Sequence, residues 1–302
     1  MTAARGIRFG ADTLAGLRRA GRARLAAAGI DSAALDADLL LAHAMGLTRE
    51  RLLVTDPATA VPAAARARYE ALIAERAGRV PLAHLVGSRE FFGRSFLVTP
   101  DVLVPRPETE TLVEAVLRRL DDRPLRLLDL GTGSGAILLT LLAERPGWEG
   151  IGIDRSPAAA AVARRNARRL GVASRARLIA GDWDAPLHPA LTFDLVVSNP
   201  PYVPRGEIAG LMPEVRCHEP VLALDGGPDG LDGLRAVVAA AGRRLRPGGW
   251  LAAEIGADQG ARAAALVLEA GLREVLVEAD LAGRARVVVG RRPDPGRALM
   301  NS

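Results

Sequence analysis

The chain has 302 residues, of which 49% are hydrophobic and 25% charged; this composition excludes a mainly disordered protein and leaves room for one or two domains. No apolar run approaches the ~20 residues of a membrane-spanning helix and the N-terminus lacks a signal-peptide core, so we expect a cytoplasmic protein with no membrane partner. Cys217 is the only cysteine, which excludes a disulfide framework and a cysteine metal site, and the net charge of +5 only weakly suggests a polyanionic partner.

The first part of the chain contains helix-forming sequence and almost no strand-forming sequence. Apolar residues recur at helical spacing, with Gly29 after the first helix and Ser32 as the N-cap of the second. The spacing predicts helices over residues 12–28, 33–45, 49–53 and 61–77. We therefore predict a small all-helical domain over residues 1–78.

The next stretch, residues 79–107, changes in character. Residues 88–98 carry three phenylalanines around a glycine turn and predict a β-hairpin. Arg106 is held extended by the prolines on either side of it. Two acidic residues then open a helix over residues 108–120, because negative charge suits the first turn of a helix. We assign residues 79–107 to a hairpin and linker.

From residue 125 onward, strands and helices alternate. The predicted strands cover residues 125–130, 150–154, 176–180, 193–198, 250–254, 274–278 and 285–289. The predicted helices between them cover residues 134–143, 157–170, 231–245 and 257–270. This alternation is typical of a mostly parallel, doubly wound α/β sheet, here with seven strands and an antiparallel strand from the final hairpin. We assign residues 108–291 to this domain and residues 292–302 to a flexible tail.

A stiff loop follows the strand predicted at residues 193–198. It contains Asn199, Pro200, Pro201 and Tyr202, and two successive prolines end a strand because they lack a backbone N–H and fix φ. In open α/β sheets, ligands bind at the carboxyl ends of the strands. The loop is therefore either a proline-rich turn or the Asn-Pro-Pro-Tyr loop of methyltransferases that act on a planar, amide-like nitrogen.

A glycine-rich loop joins the first strand of the sheet to the first helix. It contains Gly131, Thr132, Gly133, Ser134 and Gly135. Alternating glycines let the backbone pass close to a ligand before it turns into the helix. The loop has neither the spacing of a dinucleotide-binding loop nor the lysine of a phosphate-binding loop. Its form suits S-adenosylmethionine, and a simple tight turn is the alternative.

The next two strand ends carry side chains that suit adenosine. Asp154 ends the second strand, where a carboxylate accepts hydrogen bonds from ribose hydroxyls unless it only caps the following helix. Asp182 and Trp183 follow the third strand, where the carboxylate can meet the adenine amino group while the indole packs on the ring. Taken alone, Trp183 would be a core residue. Together the three strand ends predict S-adenosylmethionine as the cofactor, and no metal ion is expected.

The Asn-Pro-Pro-Tyr loop also suggests how an amide could be methylated. An amide nitrogen is a poor nucleophile because its lone pair is delocalised into the carbonyl group. The side-chain oxygen of Asn199 and the carbonyl of Pro200 can accept both amide N–H bonds, orient the lone pair and favour the charge that builds on nitrogen. No strong base is needed, since the methylated cationic nitrogen loses its proton to water. We predict Asn199, Pro200 and Tyr202 as catalytic residues, with Tyr202 as a wall of the pocket and Pro201 completing the substrate site.

The sequence resembles the peptide chain release factor glutamine methyltransferases, the PrmC (HemK) family, over residues 35–289. The matching segments are residues 36–41, 81–85, 89–93, 105–110, 129–135, 198–202, 219–220, 223–231 and 246–250. The Gly-rich loop and the Asn-Pro-Pro-Tyr loop alone would also fit adenine or guanine methyltransferases. The Pro-Arg-Pro-Glu-Thr-Glu segment at residues 105–110 and the helical N-terminal domain are far more specific.

The resemblance implies a seven-stranded, Rossmann-like S-adenosylmethionine-dependent methyltransferase domain behind a helical substrate-recognition domain. It implies methylation of the glutamine side-chain amide in the Gly-Gly-Gln motif of class I release factors. It also implies that residues 131–135, Asp154, Trp183 and Asn199 bind the cofactor, and that the Asn-Pro-Pro-Tyr loop binds the glutamine. We expect a monomer that acts on class I release factors, with no stable nucleic-acid partner.

Other functions remain open at this point. A related enzyme could methylate a glutamine of a ribosomal protein or a base in nucleic acid. A fold that has lost catalysis could instead serve as an RNA- or ribosome-binding module, although the intact Asn-Pro-Pro-Tyr loop argues against this. A base methyltransferase should carry a basic recognition domain rich in aromatics, whereas Phe9 and Tyr69 are the only aromatic residues before residue 79.

Overall fold

The structure of the protein, a computed structural model, describes residues 10–295, which fall into two compact units. One unit contains residues 10–87 together with residues 213–218, and the other contains residues 88–212 and 219–295. None of the helices in the described part of the chain is both long and apolar enough to cross a membrane. Of the predicted tail, residues 296–302 lie outside the described residues.

Residues 10–295 contain eleven α-helices and nine β-strands. The helices are α1 (Leu14–Ala27), α2 (Ala33–Met45), α3 (Arg49–Val54), α4 (Ala63–Ala77), α5 (Leu82–Val86), α6 (Glu110–Arg119), α7 (Ala136–Glu144), α8 (Pro157–Arg169), α9 (Pro213–Arg216), α10 (Asp232–Arg244) and α11 (Gly260–Glu269). The strands are β1 (Ser88–Phe91), β2 (Arg94–Leu97), β3 (Arg126–Leu130), β4 (Glu149–Asp154), β5 (Ala176–Ala180), β6 (Phe193–Ser198), β7 (Leu245–Glu254), β8 (Arg273–Ala279) and β9 (Ala285–Arg291).

The first unit is helical, and α1, α2 and α4 enclose its apolar core. Arg76 of α4 is buried and donates to Asp36 of α2 at 2.7 Å, which satisfies a charge that burial would otherwise penalise. Glu214 of α9 accepts hydrogen bonds from Arg76 at 3.2 Å and from Arg79 at 3.1 Å, so this distant segment is held to the helical unit by ion pairs. Ser32 stands at the start of α2, but its side chain makes no capping hydrogen bond, contrary to the prediction.

The second unit contains a seven-stranded sheet with the order β5-β4-β3-β6-β7-β9-β8. Neighbouring strands from β5 to β7 are parallel, and only β9 runs against its neighbours. Helices α6 and α7 pack into one hydrophobic cluster with the sheet, while α10 and α11 pack into the other. The predicted doubly wound, seven-stranded sheet with one antiparallel strand is therefore confirmed.

The β-hairpin predicted around the phenylalanines is also confirmed as the pair β1 and β2. Phe91 and Phe96 meet edge to face, with ring centroids 6.0 Å apart, and both are buried in the core beside α6 and α7. The aromatic side chains of the hairpin therefore belong to the core of the sheet unit.

Three local features differ from the prediction. Helix α5 was not predicted, because it is a single short helix between a proline and Gly87, which adopts the left-handed conformation. Strand β7 begins at Leu245 rather than at Trp250, so the Pro-Gly-Gly segment lies within a strand. Arg292, at the start of the predicted tail, exchanges backbone hydrogen bonds with Gly248 and Gly249, and this pairing holds the segment in place despite its turn-forming residues.

Candidate active site

A cavity of about 290 Å³ lies within the sheet unit at the carboxyl ends of the parallel strands. Its walls come from the loops that follow β3, β4, β5 and β6, from the segment before α6, and from residues 220–233. Because β4 and β6 both flank β3, these loops open at the same edge of the sheet. Side chains that the sequence places in separate segments therefore surround one space, whose size is close to that of small-molecule sites.

The glycine-rich loop forms one wall of the cavity. Gly131 and Gly133 both have positive φ, at +72° and +55°, a conformation that other residues adopt at a cost. A Cβ atom at Gly133 would meet nothing within 4 Å, so the backbone conformation, and not a lack of space, calls for glycine there. Gly135 does not line the cavity; it begins α7, where a Cβ would come within 2.7 Å of Leu139.

Asp154 supports this loop from the end of β4. One carboxylate oxygen accepts the backbone N–H of Gly133 at 2.8 Å, and the other accepts that of Ser156 at 2.8 Å. The pKa of Asp154 is raised, because burial raises it by more than the two hydrogen bonds lower it. Each oxygen keeps lone-pair capacity for a further donor, so this fixed carboxylate, which lines the cavity, suits a pair of ribose hydroxyls.

Asp182 and Trp183 line the cavity after β5. The Asp182 side chain is 68% exposed and lies 4.0 Å from Arg155. Trp183 has a φ of +47°, in the left-handed region that bulky residues rarely adopt. Such a conformation persists only where the surroundings enforce it, and here it places a large ring beside the cavity.

Together these features fit the adenosine and methionine parts of S-adenosylmethionine. The loop after β3 offers backbone without side chains at its glycines, and the carboxylate of Asp154 stands at the neighbouring strand end. Trp183 supplies an aromatic surface on the same cavity. A phosphate-bearing cofactor would favour a cluster of basic side chains around the loop, but among residues 10–295 only the arginines Arg106 and Arg155 lie on the wall of the site.

Asn199 follows β6 and also lines the cavity. Its side-chain nitrogen donates to the hydroxyl oxygen of Thr109 at 3.2 Å. That contact assigns the nitrogen to the Thr109 side and leaves the amide oxygen for another donor. The carbonyl oxygen of Pro200 accepts no hydrogen bond from any of residues 10–295. Two neighbouring acceptors at the end of β6 therefore remain available, of which Asn199 lines the cavity and Pro200 stands next to it in the chain.

The Asn-Pro-Pro-Tyr loop is fixed by close contacts with the start of α10 and with Gln259, which precedes α11. A Cβ atom at Gly233 would lie 2.8 Å from the carbonyl oxygen of Pro201, so only glycine allows this approach. Gln259 donates to the carbonyl oxygen of Tyr202 at 2.9 Å and to that of Gly230 at 3.1 Å. These contacts hold the loop from behind and make its carbonyl directions rigid.

Pro200 and Tyr202 have different surroundings from Asn199 and Pro201. Neither contributes to the wall of this cavity, whereas Asn199 and Pro201 do. The side chain of Tyr202 faces Glu254, and burial together with that carboxyl group raises the pKa of Tyr202 to about 12. The structure thus brings Asn199 and the glycine-rich loop to one space and places the Tyr202 ring against the buried end of β7.

Four further residues belong to this region although the sequence did not mark them as site residues: Thr109, Arg106, Glu219 and Glu254. Arg106 lines the cavity and donates to the buried Glu219 at 2.5 Å. The pKa of Glu219 is raised, because burial raises it by more than Arg106 lowers it. The Pro-Arg-Pro-Glu-Thr-Glu segment contains both Arg106 and Thr109. Because this segment is specific to the family that the sequence resembles, it could have marked both residues as site residues. For Glu254, the signal was an acidic residue at the end of an apolar strand.

Comparisons with known proteins cover most of the chain. A family model described as the PrmC N-terminal domain matches residues 16–87, and one described as a methyltransferase domain matches residues 121–249. The chain is 54% identical over 275 residues to the release factor glutamine methyltransferase of Cereibacter sphaeroides, covering 91% of this chain and 97% of that protein. It is 47% identical to the protein of the same name from Caulobacter vibrioides, covering 90% and 93%.

Solved structures resemble the chain in fold. A methyltransferase from Pyrococcus furiosus matches with a TM-score of 0.53 and 18% identity, over 73% of this chain and 99% of that one. The 16S rRNA N2 G1207 methyltransferase of T. thermophilus, solved with AdoMet and guanosine, matches with a TM-score of 0.50 and 24% identity, over 68% and 49%. At these identities the similarity concerns the fold alone.

Proposed function

Because the chain belongs to the release factor glutamine methyltransferase family, we propose that it methylates the side-chain amide of the glutamine in the Gly-Gly-Gln motif of class I release factors. The family, the enzyme class and S-adenosylmethionine as the methyl donor, all predicted from the sequence, are confirmed. The observation that carries the substrate proposal is the amide of Asn199, whose nitrogen is held by Thr109 while its oxygen stays available beside the cavity.

The glycine-rich loop and Asp154 would hold the cofactor. The Asp154 carboxylate would accept the ribose hydroxyls, and Asp182 and Trp183 would contact the adenine. The backbone at Gly131 and Gly133 leaves room for the methionine part. When bound, S-adenosylmethionine supplies a methyl group on a positively charged sulfur, which is a good leaving group.

The two acceptors at the end of β6 would orient the substrate amide. The Asn199 oxygen and the Pro200 carbonyl each accept one N–H of the glutamine side chain, and this directs the nitrogen lone pair toward the methyl group. S-adenosylmethionine, held by the glycine-rich loop and Asp154, would supply the methyl group to this nitrogen, and the electron pair of the broken carbon–sulfur bond would stay on sulfur. The same two acceptors stabilise the positive charge on nitrogen, because they carry partial negative charge in fixed directions.

The proton that the amide must lose requires no dedicated base. A methylated amide nitrogen with a positive charge is strongly acidic and can release a proton to water. Among residues 10–295, those that line the cavity include no histidine, and the carboxylate of Asp154 is engaged by two backbone N–H groups. This lining suits a site that binds and orients its substrates without supplying a base.

The helical unit would serve to recognise the release factor. Its surface carries exposed apolar side chains, among them Leu53 and Val54 of α3 and Leu35 of α2. Exposed apolar side chains of this kind are typical of protein-binding surfaces when they occur together. The matched PrmC N-terminal domain, residues 16–87, covers these residues.

The experiment that tests the proposal supplies competing substrates in separate reactions. The protein is incubated with S-adenosylmethionine labelled in its methyl group and with a purified class I release factor, ribosomes, or DNA. We expect label in the release factor alone, and peptide mass spectrometry should find one added methyl group on the glutamine of the Gly-Gly-Gln motif. A release factor in which that glutamine is replaced by glutamate is the matched control and should take no label.

Two results would count against the proposal. Label in a ribosomal protein but not in the release factor would move the substrate to the ribosome. Label in the control release factor would mean that a different residue is methylated.

A further inference from the structure

A buried carboxyl group lies behind the site and has no part in the proposed reaction. Glu254 is the last residue of β7, and it is only 1% exposed. Neither of its carboxyl oxygens makes a hydrogen bond of ordinary length and angle within the described chain. A buried acid without full hydrogen bonds is costly, so its presence at this position calls for a reason.

The groups around Glu254 are polar and come from three other parts of the chain. The hydroxyls of Thr109 and Tyr202 and the positive charge of Arg286 favour its ionised form, whereas Glu108 opposes it. Burial outweighs the favourable neighbours and raises the pKa of Glu254 to about 7. Above neutral pH, Glu254 is therefore mostly ionised, and its carboxylate attracts hydroxyl hydrogens.

Thr109 connects this carboxyl group to the site. It is 4% exposed, and its oxygen accepts the side-chain N–H of Asn199 at 3.2 Å. A hydroxyl has a single hydrogen, so an oxygen that accepts from Asn199 must direct that hydrogen to another acceptor. The Glu254 carboxyl group is the acidic neighbour that can take it.

The direction of the Asn199 amide depends on this arrangement. If the Thr109 hydrogen pointed at Asn199, the amide would turn by half a rotation and present its nitrogen to the substrate. Two N–H groups would then face each other, and the substrate amide would lose one of its two acceptors. An acceptor behind Thr109 prevents this, because it draws the hydroxyl hydrogen away from Asn199.

We propose that Thr109 and Glu254 are positioning residues: Thr109 accepts the Asn199 nitrogen, the buried Glu254 carboxyl group draws the Thr109 hydroxyl hydrogen away from Asn199, and the Asn199 oxygen therefore faces the substrate. This inference rests on the proposed function, since it concerns the amide that would hold the glutamine. Neither residue touches the reacting atoms. The end of β7 and the start of α6 thereby control a side chain at the end of β6.

The test combines a spectroscopic readout with kinetics. The chain contains three asparagines, Asn166, Asn199 and Asn301, so selective ¹⁵N-asparagine labelling gives a small set of side-chain amide signals. Asn166 is buried and bonded to Leu97 and Ser134, so its signals report whether a variant is folded. The Asn199 signals report the Thr109 contact in the protein without substrate.

Thr109→Val and Glu254→Met remove the hydroxyl and the acceptor while they keep approximate shape. We expect both to shift the Asn199 amide signals and to lower the single-turnover rate by about 10–100-fold, less than full removal of such a contact costs, because the amide still samples the useful orientation. Cofactor affinity by calorimetry should stay near that of the wild type. Thr109→Ser and Glu254→Gln keep a hydroxyl and an acceptor, and they should retain most of the rate.

Thr140→Val is the matched control. Thr140 is fully buried in α7, its hydroxyl has no hydrogen-bond partner within residues 10–295, and it does not line the cavity. Unchanged Asn199 signals and a wild-type rate in folded Thr109→Val or Glu254→Met would overturn the inference. If the wild type fails to methylate a release factor, the proposed function fails instead, and the Asn199 signals still decide whether the amide is positioned in this way.

Discussion

Replacing Asn199 with alanine separates the catalytic role of its amide from its structural role. The change deletes the oxygen that would accept one substrate N–H, and it also deletes the nitrogen that donates to Thr109 at 3.2 Å. The prolines that follow are unchanged, and the contact between Gly233 and the Pro201 carbonyl still holds the loop. The backbone acceptor at Pro200 should therefore stay in place.

The two roles differ in expected size. In the part of the chain that the structure describes, the Asn199 side chain makes one hydrogen bond, so its loss should lower the free energy of unfolding by about 0.5–1.5 kcal/mol. Removing one of two oriented acceptors for a charged transition state should lower turnover by about 10²–10³-fold, or about 3–4 kcal/mol. The kinetic effect should thus exceed the loss of stability.

The assay is a single-turnover reaction with a release factor, together with urea unfolding and calorimetry with S-adenosylmethionine. Asn199→Asp provides a second variant that keeps an acceptor and adds negative charge, and we expect partial activity from it. Its second carboxylate oxygen would face the Thr109 oxygen, so the Thr109 hydroxyl would have to turn away from Glu254. That rearrangement should keep the rate below that of the wild type.

A wild-type single-turnover rate in Asn199→Ala would refute the reasoning, because the loop would then only shape the pocket. A loss confined to cofactor affinity would assign Asn199 to the cofactor site.

Asp154→Ala should weaken S-adenosylmethionine binding by about 1–3 kcal/mol, the range for hydrogen bonds lost to a buried polar ligand, and unchanged affinity by calorimetry in the folded variant would exclude Asp154 from the site. Val54→Asp, at a side chain that is 76% exposed in the helical unit, should raise KM for the release factor and leave cofactor affinity unchanged, whereas Leu281→Asp in the other unit should change neither. Glu254→Gln should stabilise the protein at pH 8, because the folded pKa of about 7 lies above the ordinary 4.5 and ionisation on raising the pH costs the wild type about 3 kcal/mol. That difference in urea unfolding should disappear below about pH 4.5, and its persistence there would mean that packing, not charge, causes it.

Local patterns in the sequence determined the sheet and most of the proposed cofactor site. The alternation of strand and helix patterns predicted the seven strands, because the hydrophobic periodicity of each strand or helix depends only on neighbouring residues. The glycines at 131 and 133 were recognisable because positive φ favours glycine, and Asp154 because it ends a strand beside that loop. The two prolines after Asn199 marked the rigid loop for the same local reason.

The tertiary structure alone decided the direction of the Asn199 amide. Asn199 and Thr109 are 90 positions apart, and Glu254 comes from a third segment, so no spacing rule joins them. It also decided that Tyr202 faces Glu254, and that β7 continues through a Pro-Gly-Gly segment to which Arg292 pairs. Periodicity records which residues share a face of one element, whereas hydrogen bonds between distant segments depend on how the elements pack.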